Sequence, residues 1–277
     1  MFEVREWTRS DTVRLFRAPT AEDDKYTRGV VALRTGSPAY PGAAVLGVEA
    51  AWRAGAGFVR YVGTEGVADA VLARRPETVV GADAGRSRID AWVIGSGTDP
   101  ATRRDAEEMA LREILSGAVP VVIDAGALDL VPGVRAPFLV TPHAREFARL
   151  QARLRVPSDD DDRATAAAQV AAKIGGTVLL KGARTLVADP DGTVLAVEAG
   201  TGWLSTAGTG DVLAGVLGAV LAANPTAALV EVAAAGAWLH GHAARIAAGA
   251  LDGAPGHPIV AMDVAEALPR AVESVLA

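Results

Sequence analysis

The chain has 277 residues, half of them hydrophobic but only 5% aromatic, and a formal net charge of −6. That length suits a large α/β fold with one core, and the negative balance argues against sequence-independent nucleic-acid binding, which needs a basic surface. Cysteine is absent, so disulfides, thiolate metal sites and a cysteine nucleophile are excluded.

Residues 1–28 are charged and carry Pro19 and Glu22-Asp23-Asp24. The lead-in proper, 1–24, is expected to pack on the surface of one domain spanning 1–277, and its opening residues lack the apolar stretch of a signal peptide. Val30–Leu33 is a short apolar run that reaches the turn Thr35-Gly36-Ser37-Pro38, so it predicts a strand. Pro41-Gly42-Ala43-Ala44 starts a helix through Arg53, and Phe58–Val62 is the next strand. This strand–turn–helix–strand unit predicts a parallel sheet. Ala91–Ile94, Val119–Asp124, Phe138–Val140 and Thr177–Gly182 continue the strands, with a charged amphipathic helix near 100–116. Thr185–Asp189 follows so closely that it should run antiparallel, and Asp191-Gly192 predicts a hairpin turn to Thr193–Val197. Helices over 209–223, 226–248 and 262–275 close the chain. Glu231, His240, His242 and Arg245 interrupt the Ala-rich 226–250 stretch, which therefore reads as a buried helix of a cytoplasmic protein rather than a membrane span.

Polar residues gather at the carboxyl ends of the predicted strands: Ser37, Gly95–Thr98, Asp124, Thr141–His143 and Lys181-Gly182. In open α/β sheets that edge is where ligands bind. The stretch Thr206-Ala207-Gly208-Thr209-Gly210-Asp211 then feeds small residues into an apolar helix. Unpaired N–H groups and the positive end of the dipole make such a terminus an anion site. Asp211 is either a helix cap or a general base that takes a proton from a hydroxyl attacking phosphorus. Lys181 either holds phosphates as a point charge or pairs with an acid. His143 lies between a strand and a helix and is either structural or a ligand contact. His240 and His242, two apart on a helix, point to different faces, so a core or surface role is preferred to a shared metal. The run Ser158 to Asp162 reads as a capped, solvated helix start. Gly95-Ser96-Gly97 lacks the third glycine of a dinucleotide fingerprint.

The order of these motifs resembles the ADP-dependent NAD(P)H-hydrate dehydratases of the ribokinase-like superfamily. The matching pieces are Lys25–Val31, Thr35-Gly36-Ser37 to Ala44, Arg53–Gly57, Ile94–Gly97, Ile123–Leu128, Thr141-Pro142-His143 with Glu146, Leu180-Lys181-Gly182 and Gly208–Asp211. They cover roughly residues 25–275. The chain departs from the family at Ala207, where a glycine is usual, at Ala144-Arg145 and in the loop Glu198–Trp203.

The resemblance implies a three-layer α/β sandwich, its central sheet mostly parallel with helices on both faces. It implies dehydration of the (6S)-hydrate of NADH or NADPH, with ADP consumed and AMP and phosphate released. Asp211 would be the base. Ala43 or Ala44, Gly97, His143 and Asp211 would line the hydrate site; Lys181, Gly182, Ala183, Arg184, Thr185, Gly208, Thr209 and Gly210 would contact the nucleotide. Mg²⁺ would bridge the phosphates, with no protein ligand named from spacing. Family members are often homotetramers, and many carry an N-terminal epimerase domain that this chain is too short to hold. A ribokinase-like vitamin-alcohol kinase is the alternative enzyme, because it needs the same base and anion hole; a non-catalytic adenine-nucleotide sensor is the third reading.

Overall fold

The computed structural model describes residues 3–157 and 162–277. Ten strands form one sheet: β1 (Val4–Glu6), β2 (Val30–Arg34), β3 (Phe58–Val62), β4 (Val79–Gly81), β5 (Ala91–Ile94), β6 (Val121–Ile123), β7 (Phe138–Val140), β8 (Thr177–Leu180), β9 (Thr185–Ala188) and β10 (Val194–Val197). The order across it is β1-β10-β9-β8-β7-β6-β5-β2-β3-β4. Among the described residues only β9 runs against its neighbours, as the short β8–β9 and β9–β10 connections require.

Every residue of β5 to β8 is buried, because side chains alternate between two covered faces. Val93, Val122, Leu139 and Leu179 enter one core with α2 (Pro41–Arg53), α7 (Thr209–Ala223), α8 (Leu229–Ala247) and α9 (Ala261–Leu276). Ile94, Ile123, Val140 and Leu180 enter the other, under α4 (Asp105–Leu115), α5 (Ala144–Leu154) and α6 (Arg163–Ile174). The outcome is three layers, as the resemblance implied. Small residues in the first core let helices close on each other: a Cβ at Gly215 of α7 would lie 2.2 Å from the Gly47 carbonyl oxygen of α2.

The lead-in does more than pack on the surface. Val4–Glu6 adds a parallel edge strand to β10, Trp7 is buried with its indole N–H donating to Thr12 at 2.9 Å, and Arg9–Val13 forms α1. A three-residue strand with a half-exposed pattern gives no periodic signal, which is why it is invisible in sequence; β4 is missed for the same reason, and α3 (Glu65–Arg74) because it buries only Val67, Ala68 and Val71. Of the acidic run, Asp162 accepts the Thr165 N–H at 2.9 Å and caps α6; Ser158 to Asp161 lie outside the described residues.

Candidate active site

The carboxyl ends of β5, β6, β7 and β8 are adjacent, and each delivers one polar side chain to a common point. Ser96 and Thr141 donate to the Asp124 carboxylate at 2.9 and 2.7 Å, and Lys181 Nζ joins it at 2.9 Å. Asp124 is 2% exposed. Burial alone would push its carboxyl up, but the Lys181 charge and the three donors outweigh burial and hold it below its ordinary value. Burial pulls Lys181 down in turn; Asp124, Glu146 at 4.0 Å and Asp211 more than offset this, so the amine is held above its usual range. Lys181 therefore pairs with an acid and also faces the first turn of α7: a Cβ at Gly210 would lie 3.5 Å from its Nζ.

Gly208 caps α7 with φ of 89°, a left-handed conformation that glycine adopts without strain. Among the described residues no acceptor takes the backbone N–H of Thr209, Gly210 or Asp211. Such donors, with the helix dipole behind them, suit an anion. Because Gly208 is the cap, Asp211 stands at the third helical position, and its carboxylate accepts no hydrogen bond among the described residues. The capping role is thereby removed. Burial first, and the Asp124 charge second, push the Asp211 carboxyl up to about 6, with Lys181 opposing them.

Two cavities flank this cluster. One, of about 360 Å³, is lined by Lys181, Gly182, Ala183, Thr185, Thr209 and Gly210, and by Gly200–Gly202, Leu204, Ser205, Leu213 and His240. The other, of about 630 Å³, is bordered by Tyr40, Gly97–Pro100, Ala125, Gly126, Leu128, Asp129, Glu146, Arg149, Leu150 and Arg153. Lys181 lines the first and Glu146 the second.

Residues 31–254 match the family described as NAD(P)H-hydrate dehydratase. The chain belongs to that family. It is 43% identical over 232 residues to the bifunctional NAD(P)H-hydrate repair enzyme Nnr of Mycobacterium tuberculosis, covering 80% of this chain and 47% of that protein. It is 39% identical over 249 residues to the ADP-dependent (S)-NAD(P)H-hydrate dehydratase of Neisseria meningitidis, covering 84% and 81%. The chain thus spans about half the length of the bifunctional relatives it matches. The crystal structure of the ADP/ATP-dependent NAD(P)H-hydrate dehydratase from Bacillus subtilis, co-crystallized with ATP and Mg²⁺, superposes with a TM-score of 0.85. It shares 28% identity, over 98% of this chain and 99% of that one. A ribokinase-like superfamily protein of Enterococcus faecalis, at 23% identity and a TM-score of 0.83, shares the fold.

The residues singled out in sequence distribute unevenly over this geometry. Gly97, at φ of 66°, packs on Ala43, where a Cβ would come within 2.3 Å of the Ala43 Cβ; Ala44 faces the core and is fully buried. His143 caps α5, its Nδ1 accepting the Arg145 and Glu146 N–H groups at 3.1 and 3.3 Å, while Glu146 Oε2 returns a bond to the His143 N–H at 2.9 Å. The imidazole is half exposed, and its Nε2 lies 3.5 Å from Glu146 Oε1. Arg184 turns away to pair with Glu6 and Glu198. Sequence reasoning missed Thr201, Ser205 and Leu213 in the first cavity and Arg149 and Arg153 in the second. The spacing of Leu213 one turn beyond Thr209 was the available signal for it.

Proposed function

We propose that the protein dehydrates the (6S)-hydrate of NADH or NADPH at the expense of ADP, releasing AMP and phosphate. The observation that carries this is Asp211: an unbonded, largely buried carboxylate with a raised pKa, in the same helical turn as the unpaired N–H groups and within reach of the Asp124 and Lys181 charges. Family membership supplies the substrates, and the relatives' names support them.

ADP occupies the smaller cavity, its phosphates on the N–H groups of Thr209 to Asp211 and beside Lys181. The hydrate occupies the larger one, with its ring near Gly97 and Ala43. Asp211 removes the proton of the ring hydroxyl as that oxygen attacks the β-phosphorus; the new O–P bond forms as the bond to AMP breaks. The backbone donors and Lys181 stabilise the charge on the transferring group. Hydroxide leaves poorly, whereas a phosphate ester leaves readily once the ring nitrogen pushes electrons in. Loss of phosphate from C6 and of a proton from C5 restores the dihydropyridine. On this reading His143 positions Glu146 and the start of α5, and its exposed Nε2 edge faces the hydrate.

Among the described residues no three metal-ligating side chains converge. Magnesium fits such a site because it is usually held by phosphates, water and one or two carboxylates. Glu146 would face it through water, and its contribution would be to neutralise phosphate charge, leaving Asp211 free as the base. Assembly into a homo-oligomer, a tetramer by the resemblance, belongs to the same proposal.

The test is incubation with NADH hydrate and ADP, following the regained absorbance of the dihydropyridine and separating the spent nucleotide. AMP and phosphate formed one for one with NADH are expected. ADP formed from ATP, with phosphorylation of an alcohol and no dihydropyridine, would point to a kinase instead.

A further inference from the structure

His240 lies on α8, only 7% exposed, in the wall of the smaller cavity. Its Nε2 has no hydrogen-bond partner among the described residues. A buried polar atom without a partner is costly, and native proteins rarely keep one unless something else completes it. The helix also comes unusually close to the loop over the cavity. A Cβ at Gly241 would lie 2.8 Å from the Ala199 carbonyl carbon and the Gly200 nitrogen, so only glycine at 241 lets α8 bring His240 to this position.

The chemistry of the ring narrows what it binds. Burial pushes the imidazole down to about 4; the Thr209 carbonyl beside it pulls the other way, and the Lys181 charge adds to the fall. The ring is neutral at pH 7 and offers a phosphate no charge. The phosphates are served already by the N–H groups of Thr209 to Asp211 and by Lys181. The ring sits against Thr209, beside the anion site, whereas Gly182 and Thr185 line the cavity on the β8–β9 turn. In a nucleotide the sugar is bonded directly to the phosphate, and the base stands a sugar's width further on.

We propose that His240 is a specificity-determining residue that hydrogen-bonds a ribose hydroxyl of the nucleotide through Nε2. This rests on the reading of the smaller cavity as a nucleotide site, and the test separates the two. Titration calorimetry is run on the wild type, His240→Leu and His240→Gln with ADP, 2′-deoxy-ADP, 3′-deoxy-ADP, IDP and inorganic pyrophosphate. Wild-type protein is expected to bind ADP at least roughly tenfold more tightly than one of the deoxy analogues. His240→Leu should bind ADP that much more weakly, lose the preference for the hydroxyl and keep its affinity for pyrophosphate. Glutamine, whose amide reaches the place of Nε2, should retain part of the preference and carries the test if the leucine variant fails to fold. Unchanged hydroxyl preference in the variants overturns the assignment, as does an equal loss of pyrophosphate. So does a loss of discrimination between ADP and IDP with the hydroxyl preference intact, which would place the ring on the base. Wild-type protein that binds no ADP would overturn the nucleotide site itself.

Discussion

Burial and the neighbouring Asp124 charge push the Asp211 carboxyl up to about 6, and Lys181 offsets them only in part. A base must be ionised to act, so turnover should fall as pH drops below about 6, and a rate–pH profile with no acid limb near that value would count against Asp211. Asp211→Asn removes the proton acceptor and should cost roughly 10²–10⁴-fold in turnover, while ADP affinity stays the same or rises because a charge near the phosphates is gone. Stability moves the other way. A folded-state pKa above the unfolded one means the carboxyl favours the native state at low pH and opposes it once ionised. The asparagine protein should therefore exceed the wild type at pH 8 by at most about 3 kcal/mol. Urea titrations should show the difference closing as pH falls through 6 towards 4. The sequence placed Asp211 beside a phosphate loop but left cap and base open, because both need the same residue at a helix start. Only the position of Gly208 as the cap separates them. Lys181 was ambiguous for a related reason: its partner Asp124 lies 57 positions away in the chain, and no local pattern records that.

Single elements carry two further consequences. Arg149 and Arg153 stand four apart on α5, on one face, and both border the larger cavity. Neither pairs with an acid among the described residues, whereas Asp129 of the same cavity is held by Arg103 at 2.7 Å. Two open guanidinium groups suit the phosphates of a dinucleotide. Arg149→Ala with Arg153→Ala should raise KM for the hydrate roughly tenfold or more and leave KM for ADP unchanged; steady-state kinetics with each substrate varied in turn checks this. On the opposite face of the sheet, Glu49 of α2 is fully buried and meets Arg53, Arg74 and Arg75, tying α2 to α3, and Arg74 continues to Glu266 of α9. Burial would raise the Glu49 carboxyl, but the Arg75, Arg53 and Arg74 bonds outweigh it and lower it. Its contribution is thus present above the unfolded pKa and lost as pH falls through the lower folded value. Removing the acid alone strips Arg53 of its partner and leaves Arg74 and Arg75 only Glu266 and Glu77, so Glu49→Ala should destabilise by about 1–3 kcal/mol in urea titration at pH 7. The sequence announced neither device. It shows α2 as a run of small residues and gives no sign that its one acid points inward.

Across the whole molecule, the legible parts were those where both faces of a strand are covered. Val30–Leu33 of β2, β5 to β7 and Val178–Leu180 of β8 appear as unbroken apolar runs because each side chain meets a core, and their carboxyl ends could be aligned from the polar residues that follow. The edge strands β1 and β4, half exposed and three residues long, left no such trace. What the alignment could not reveal is that the polar ends are bonded to one another. Asp124 ties β6 to the ends of β5, β7 and β8 through Ser96, Thr141 and Lys181, so on the proposed function one ion pair serves both the sheet edge and the chemistry. Those two roles are separable. Lys181→Met leaves a carboxylate buried without its counter-charge and should cost about 3–5 kcal/mol of stability. Adding Asp124→Asn removes that charge, keeps an acceptor for one of Ser96 and Thr141 and offers its amide N–H to the other hydroxyl, and should restore most of the loss. The phosphates still lack the lysine in the double variant, so its turnover should stay as low as that of Lys181→Met. Urea titrations and kinetics on the two single variants and the double one test this together. A double variant no more stable than Lys181→Met would mean that the lysine supports the sheet edge by packing, and recovered turnover would take Lys181 out of the transfer step.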